Sequence, residues 1–404
     1  MKLFYHKDPV GNFGDDLNTW LWPRVAPGLL DNDEGTLFIG IGTILDNRIP
    51  DAPLKLVFGT GTGYGRMPAL DERWRICCVR GPLTARALGL PQELAITDPA
   101  MLVRNVMPEE RPGTYSISLM PHHRTKIRAG DENVDLETVV RDAGLHYIDP
   151  AAGAEVVLKS IAGSQLVIAE AMHGAIVADA LRIPWMPVQL YDHISDLKWR
   201  DWCYSTGLDY SPAVLSPRPG EEKQRALSSF IRGTISLRRP MLSPDGAIAG
   251  KIRLLEEKLA LIRQEHADAC CLEGSAKMLP DPEVWRDIPW LYAMHSAIRE
   301  LGEILPVGAT YILVDQDEWG SGAILAGRDA IPFTERNGIY WGPPASDVVA
   351  INELERLRAA GAAYLVFAYP SFWWLDFYSH FSQHLRSTYP VMKQSHYLIA
   401  FDLG

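Results

Sequence analysis

Through the first half of the chain, short apolar runs alternate with segments whose apolar residues lie three or four apart. A short run closed by glycine or polar residues marks a buried strand; the wider spacing marks a helix packed on one face. The pattern predicts strands at residues 3–5, 36–43, 55–63 (the last two running out into glycines), 75–79, 115–120, 146–149 and 185–188, with a short strand and turn at 95–100. It predicts helices carrying Leu17, Trp20 and Leu21, then at 82–88, 135–143, 155–161 and 196–206. Residues 165–180 hold the central unit: an apolar strand, a polar corner at 170–174 and an alanine-rich helix.

Strand–helix alternation broken by one Pro/Gly-rich charged linker at 107–113 predicts an α/β chain. Its first part reads as two doubly wound, Rossmann-like lobes in a GT-B-like arrangement, residues 1–106 and 114–216, with ligand in the cleft between them. The character changes near Pro217. Residues 217–285 read as a helical connector whose long helix, 247–270, carries Ile252, Leu255, Leu259 and Ile262 as a packing stripe. Residues 286–404 read as a small C-terminal α/β domain, with strands at 311–314, 364–367 and 397–401 and helices at 347–360 and 374–386. Phe372, Trp373 and Trp374 are expected to be core in preference to a platform for sugar rings.

Composition narrows the function. A net charge of -11 excludes a general nucleic-acid binder, which would need a basic face for phosphates. The five cysteines fall as Cys77-Cys78, Cys203 and Cys270-Cys271. Neither adjacent pair has metal-ligand spacing, and the odd count predicts reduced thiols in a cytoplasmic protein. No basic segment followed by an apolar one opens the chain, and no apolar run approaches the ~18–20 residues that span a bilayer.

Candidate chemistry gathers where predicted strands end. Ligands of open α/β sheets bind outside the carboxyl ends of the strands, and helix N-termini there attract anions. His173 and Gly174 stand at such a corner. So do Asn12 and Asp15 after the first strand, Gly42 and Gly61 after the next two, and Arg80 after the fourth, where a guanidinium suits a carboxylate or phosphate. His122, His123 and Arg124 form a cationic cluster after the strand at 115–120; adjacent histidines point apart, which disfavours a shared metal, and no metal site is expected.

The order of these corners resembles the polysaccharide pyruvyl transferase family. The matching pieces are Asn12-Phe13-Gly14-Asp15, Gly40-Ile41-Gly42-Thr43, Gly59-Thr60-Gly61 and Arg80-Gly81-Pro82-Leu83-Thr84, followed by Asp98-Pro99-Ala100, Pro121-His122-His123 and Met172-His173-Gly174-Ala175. The stretch from Asn12 to Asn18 looks most like the succinoglycan-type branch that decorates bacterial exopolysaccharides. The resemblance implies transfer of the pyruvyl group of phosphoenolpyruvate onto two hydroxyls of one sugar, giving a cyclic ketal and phosphate without a cofactor. It implies His173 as the acid–base group. Arg80, Arg124 and the helix start at Gly174 would hold the donor, and Asn12 and Asp15 would meet the acceptor hydroxyls. Relatives often carry Arg two residues before this histidine; Ala171 stands there instead, leaving Arg124, His122 or His123 to replace it. A lipid-linked oligosaccharide acceptor would place the enzyme peripherally at the inner face of the plasma membrane.

Two other readings share these features. One is a GT-B-type glycosyltransferase using a nucleotide sugar, with Glu170 as the acid that grips a ribose. The other is a non-catalytic scaffold of polysaccharide assembly, which Ala171 keeps open.

Overall fold

The computed structural model describes the chain except residues 32, 64–66, 108–112, 192–193, 216–221, 265–270, 275–288, 320–323, 326 and 370. It is an α/β fold with parallel and mixed sheets and many helices. In the first sheet the parallel strands Lys2–Phe4, Thr36–Ile39, Leu54–Phe58 and Trp74–Cys78 lie side by side in chain order. The edge strand Leu272–Glu273 joins antiparallel to Trp74–Cys78.

That edge strand overturns the expectation of reduced thiols. Its register sets Leu272 against Ile76, so Cys271 falls opposite Cys77, and the two form a disulfide. Partners 194 positions apart escape a search for motif spacing. Cys78 and Cys203 are buried outside it, and Cys270 lies outside the described residues.

The second sheet is wholly parallel and its order reverses: His146–Tyr147, Ser118–Met120, Val167–Ala169, Trp185–Gln189, Ala213–Val214. The chain leaves Ser118–Met120 toward one side and returns on the other, creating a switch point between Ser118–Met120 and Val167–Ala169. The first sheet follows chain order without such a reversal.

The third sheet, from residue 310 onward, is mixed: Asp329–Pro332, Thr310–Val314 and Tyr364–Ala368 run parallel, and Leu398–Asp402 lies antiparallel to both of its neighbours, Tyr364–Ala368 and Val391–Gln394. A hairpin, Glu335–Arg336 with Ile339–Tyr340, stands beside it. Buried side chains continue from the first sheet (Ile39, Val57, Ile76) through the helix Pro289–Ile304 (Leu291, Met294, Leu301) to Tyr311, Leu313 and Val366. The C-terminal unit is therefore packed on the first sheet.

Several local expectations changed. Residues 95–100 make only a single bridge, Val79 to Ala95, before the 3-10 helix Pro99–Asn105, which Asp98 caps through the Ala100 N–H. The cationic corner at 121–126 continues as a helix, His123–Asp131. The last predicted helix is two, Trp373–Phe377 and Ser379–Thr388; Trp374 is core, but Trp373 is 37% exposed. The stripe on Asp245–Arg263 is buried within the chain, and the helix ends before the predicted residues 265–270, which lie outside the described ones, as does most of the linker at 107–113.

Candidate functional site

A cleft opens at the carboxyl ends of the first and second sheets, and residues at the switch point form part of its wall. There Val167–Ala169 passes through Glu170 and Ala171 into the helix Met172–Ala180. Glu170 is wholly buried and accepts the backbone N–H groups of His122, Leu190 and Tyr191 at 3.0, 2.7 and 3.2 Å. Burial pushes its carboxyl up, against those hydrogen bonds and one from Thr125. Glu170 ties three strand ends together and has no capacity left to grip a ribose.

His173 sits in the first turn of that helix and lines the cleft. Its Nε2 faces Asp98 Oδ2 at 3.5 Å, and neither atom has a hydrogen bond. Asp98 is fully buried, with Oδ1 accepting the Ala100 N–H. A buried carboxylate thus stands behind the histidine, beyond ordinary hydrogen-bond distance. Nδ1 lies over Gly14, where an added Cβ would be 2.2 Å from it. Ala171, at the N-cap, provides no side-chain cap, so an anion can take up amide groups of the first turn. Gly174 is less available: its N–H bonds to the Ala171 carbonyl at 2.9 Å, and its missing Cβ makes room for Met120 Sδ.

The structure brings Asn12, Asp15, Gly42, His122, His123, Arg124 and His173 to this cleft. Asn12 caps the helix Phe13–Val25 through the Gly14 N–H and donates to Asp15 Oδ2 at 2.7 Å. Its amide is spent on holding Asp15. Burial pushes the Asp15 carboxyl above its ordinary value despite His6, His173, His123 and Lys198 nearby. His123 Nε2 meets Asp8 at 3.2 Å. Burial raises the Asp8 carboxyl, but the His123 hydrogen bond, the Val10 N–H and the charges of His123 and His6 outweigh it and hold it low. Arg124 pairs with Asp317, which the C-terminal unit extends into the same cleft.

Arg80 and Gly61 lie elsewhere. Arg80 is fully buried and does not line the cleft. Nε donates to Asp201 Oδ2 at 3.2 Å, Nη1 to Thr43 Oγ1 at 2.7 Å and the Gly42 carbonyl at 3.3 Å, and Nη2 to the Thr62 carbonyl at 3.2 Å. Asp201 also accepts from the Leu83 and Thr84 N–H groups and the Thr84 hydroxyl. Arg80 thus clasps the helix Asp196–Ser205 to the end of the first sheet, which corrects its assignment to the donor. Gly61 serves the same clasp: an added Cβ would lie 2.3 Å from Arg80 Nη2.

Sequence reasoning missed His6, Asp8, Arg48, Lys198 and Asp317 in the cleft, and Asp98 behind His173. His6 follows the first strand and obeys the same strand-end rule as the others. Lys198 lies on the helix predicted at 196–206, beside the buried Trp199. Asp98 was visible as a motif but not as a partner.

A histidine with a carboxylate behind it thus lines a switch-point cleft whose walls carry Arg48, Arg124 and Lys198 beside Asp8, Asp15 and Asp317. No family model matches the chain. Over 218 residues it is 44% identical to the succinoglycan biosynthesis protein ExoV of Rhizobium meliloti (strain 1021), a match covering 52% of this chain and 67% of that protein. The chain belongs to the polysaccharide pyruvyl transferase family and is a transferase.

Proposed function

We propose that the chain moves the pyruvyl group of phosphoenolpyruvate onto two hydroxyls of one sugar in a bacterial exopolysaccharide repeat. The observation that carries this reading is the His173–Asp98 pair opening onto a cleft at the switch point that Arg48, Arg124, Lys198 and three further histidines also line. Arg124, His122, His123 and Lys198, with the helix start at Met172, hold the donor's carboxylate and phosphate. A proton reaches the methylene carbon, which becomes a methyl group, and the adjacent carbon gains oxocarbenium character. One sugar hydroxyl adds there and loses its proton; the C–O bond to phosphate breaks; the second hydroxyl closes the ketal and loses its own. One of the two released protons replaces the one delivered and the other leaves with phosphate. His173 Nδ1 relays protons while Asp98 steadies the ring, and Asp15, held by Asn12, accepts from the acceptor hydroxyl.

The first and second sheets with their helices act as the two lobes of a GT-B-like transferase. Among the described residues no helix is long and apolar enough to cross a membrane. A lipid-linked acceptor brings the protein peripherally to the inner face of the membrane, on the cytoplasmic side where phosphoenolpyruvate is made. Glu170 is committed to backbone N–H groups, which removes the acid proposed for a nucleotide ribose.

The test mixes the purified chain with phosphoenolpyruvate and a de-ketalised oligosaccharide repeat from succinoglycan. Phosphate release should require both, and mass spectrometry should find one ketal per acceptor. Turnover with a nucleotide sugar and none with phosphoenolpyruvate would sink the proposal.

A further inference from the structure

On the far side of Arg124 from the catalytic cleft lies a second groove. One wall is the helix His123–Asp131, presenting Arg124, Ile127, Arg128 and Asp131; the other is the C-terminal hairpin with Trp341 and Gly342 following it. Trp341 is half-exposed, and the Arg336 guanidinium lies 4.5 Å from its ring centroid. Ile339 at the hairpin is 49% exposed. Gly342, at φ +99°, keeps the walls close: an added Cβ would sit 3.3 Å from Arg128 Nε. An aromatic and aliphatic wall facing guanidinium and carboxylate groups is the composition that binds a sugar ring, whose C–H face stacks while its edge hydroxyls find planar partners.

We infer that this groove is a subsite for a further sugar of the acceptor oligosaccharide, with Trp341 as its platform. The inference rests on the pyruvyl-transfer reading and adds to it. The acceptor of a repeat-unit enzyme is longer than the sugar that reacts, and its remaining rings must leave the cleft along a continuous surface. Arg124 lines both the cleft and the groove, which provides that continuity. The occupant is therefore a neighbouring sugar ring of the same oligosaccharide. This gives the C-terminal unit a role: it recognises the acceptor.

The experiment titrates the de-ketalised succinoglycan oligosaccharide into the purified chain, into Trp341→Ala and into Trp341→Phe, following heat or ligand-observed NMR. Phosphoenolpyruvate is titrated into the same preparations. Trp341→Ala should weaken oligosaccharide binding about tenfold or more, as loss of one stacked ring does, and Trp341→Phe should recover most of it. Should Trp341→Ala fail to fold, Ile339→Glu, at a half-exposed position, should weaken the oligosaccharide while phosphoenolpyruvate still binds. Oligosaccharide affinity within twofold of the parent in variants that bind phosphoenolpyruvate overturns the subsite and leaves the pyruvyl reading standing. Failure of the parent itself to bind phosphoenolpyruvate removes that reading and this inference together.

Discussion

Two corners of this molecule look alike in sequence and behave differently in space. Arg80 and His173 each follow an apolar strand and lie close to the start of a helix, where an anion would be expected. Arg80 is fully buried, with its hydrogen-bonding groups committed to Asp201, Thr43, Gly42 and Thr62. His173 opens onto the cleft with one carboxylate behind it and no completed hydrogen bond at Nε2. A strand end shows where charge is useful; it does not show whether that charge is already spent. The partner decides, and Asp201 lies 121 positions from Arg80.

The largest expected effects separate the two corners directly. Arg80→Ala leaves Asp201 buried without its guanidinium, and breaking a buried pair costs roughly 3–5 kcal/mol. Urea unfolding should show that loss; a stability change below about 1 kcal/mol would mean that Arg80 is not a clasp. His173→Gln should do the reverse. It should lower kcat by about 10³-fold, the scale of a lost proton-transfer group, while the unfolding midpoint stays close to the parent. Comparable stability losses in both variants would erase the distinction.

The same contrast explains how much was legible. The strand and helix around His173 follow from a short apolar run closed by a polar corner and from the alanine-rich stretch after it; both are buried nearly all round, so run length and not a period marks them. The ordered corners carried the family and part of the cleft: Asn12, Asp15, Gly42, His122, His123, Arg124 and His173 all line it. What spacing cannot show is pairing across distance. The Arg80–Asp201 clasp, the Cys77–Cys271 disulfide and the Arg124–Asp317 pair join residues brought together only when sheets pack. The hairpin at 335–340 was missed for another reason: its strands have two residues each, too short to show alternation.

Smaller effects sharpen the His173 side. Asp98→Asn keeps the shape of the pocket but removes the charge beside the imidazole, so kcat should fall by about 10²-fold, the low end for a proton-transfer group, because the contact is longer than a hydrogen bond, with little change in phosphoenolpyruvate KM. Gly14→Ala tests the same ring from the other face. The new Cβ would meet Nδ1 at 2.2 Å and must push the imidazole aside. Activity should drop with the ring displaced, and a crystal structure or histidine NMR shifts should report the displacement. Full activity in Gly14→Ala would place the proton relay somewhere other than Nδ1.

The smallest expected effect asks whether Arg124 resembles Arg80 or His173. Its guanidinium is paired, as Arg80's is, yet its side chain is 37% exposed and borders the open cleft. Asp317 reaches it from the C-terminal unit and occupies the position an incoming carboxylate or phosphate would take. A donor must share or displace that carboxylate, so Asp317→Asn should tighten phosphoenolpyruvate binding. The guanidinium is part-exposed although Asp317 is buried; at about 1 kcal/mol, the upper end for a solvent-screened pair, the gain is roughly fivefold in Kd. Calorimetric titration at low salt measures it, and added salt should shrink the difference. A weaker Kd in Asp317→Asn would mean that Asp317 positions Arg124 for the donor, making the pair a clasp in the manner of Arg80 and Asp201. A tighter one makes Arg124 a group held in reserve, spent only until its substrate arrives.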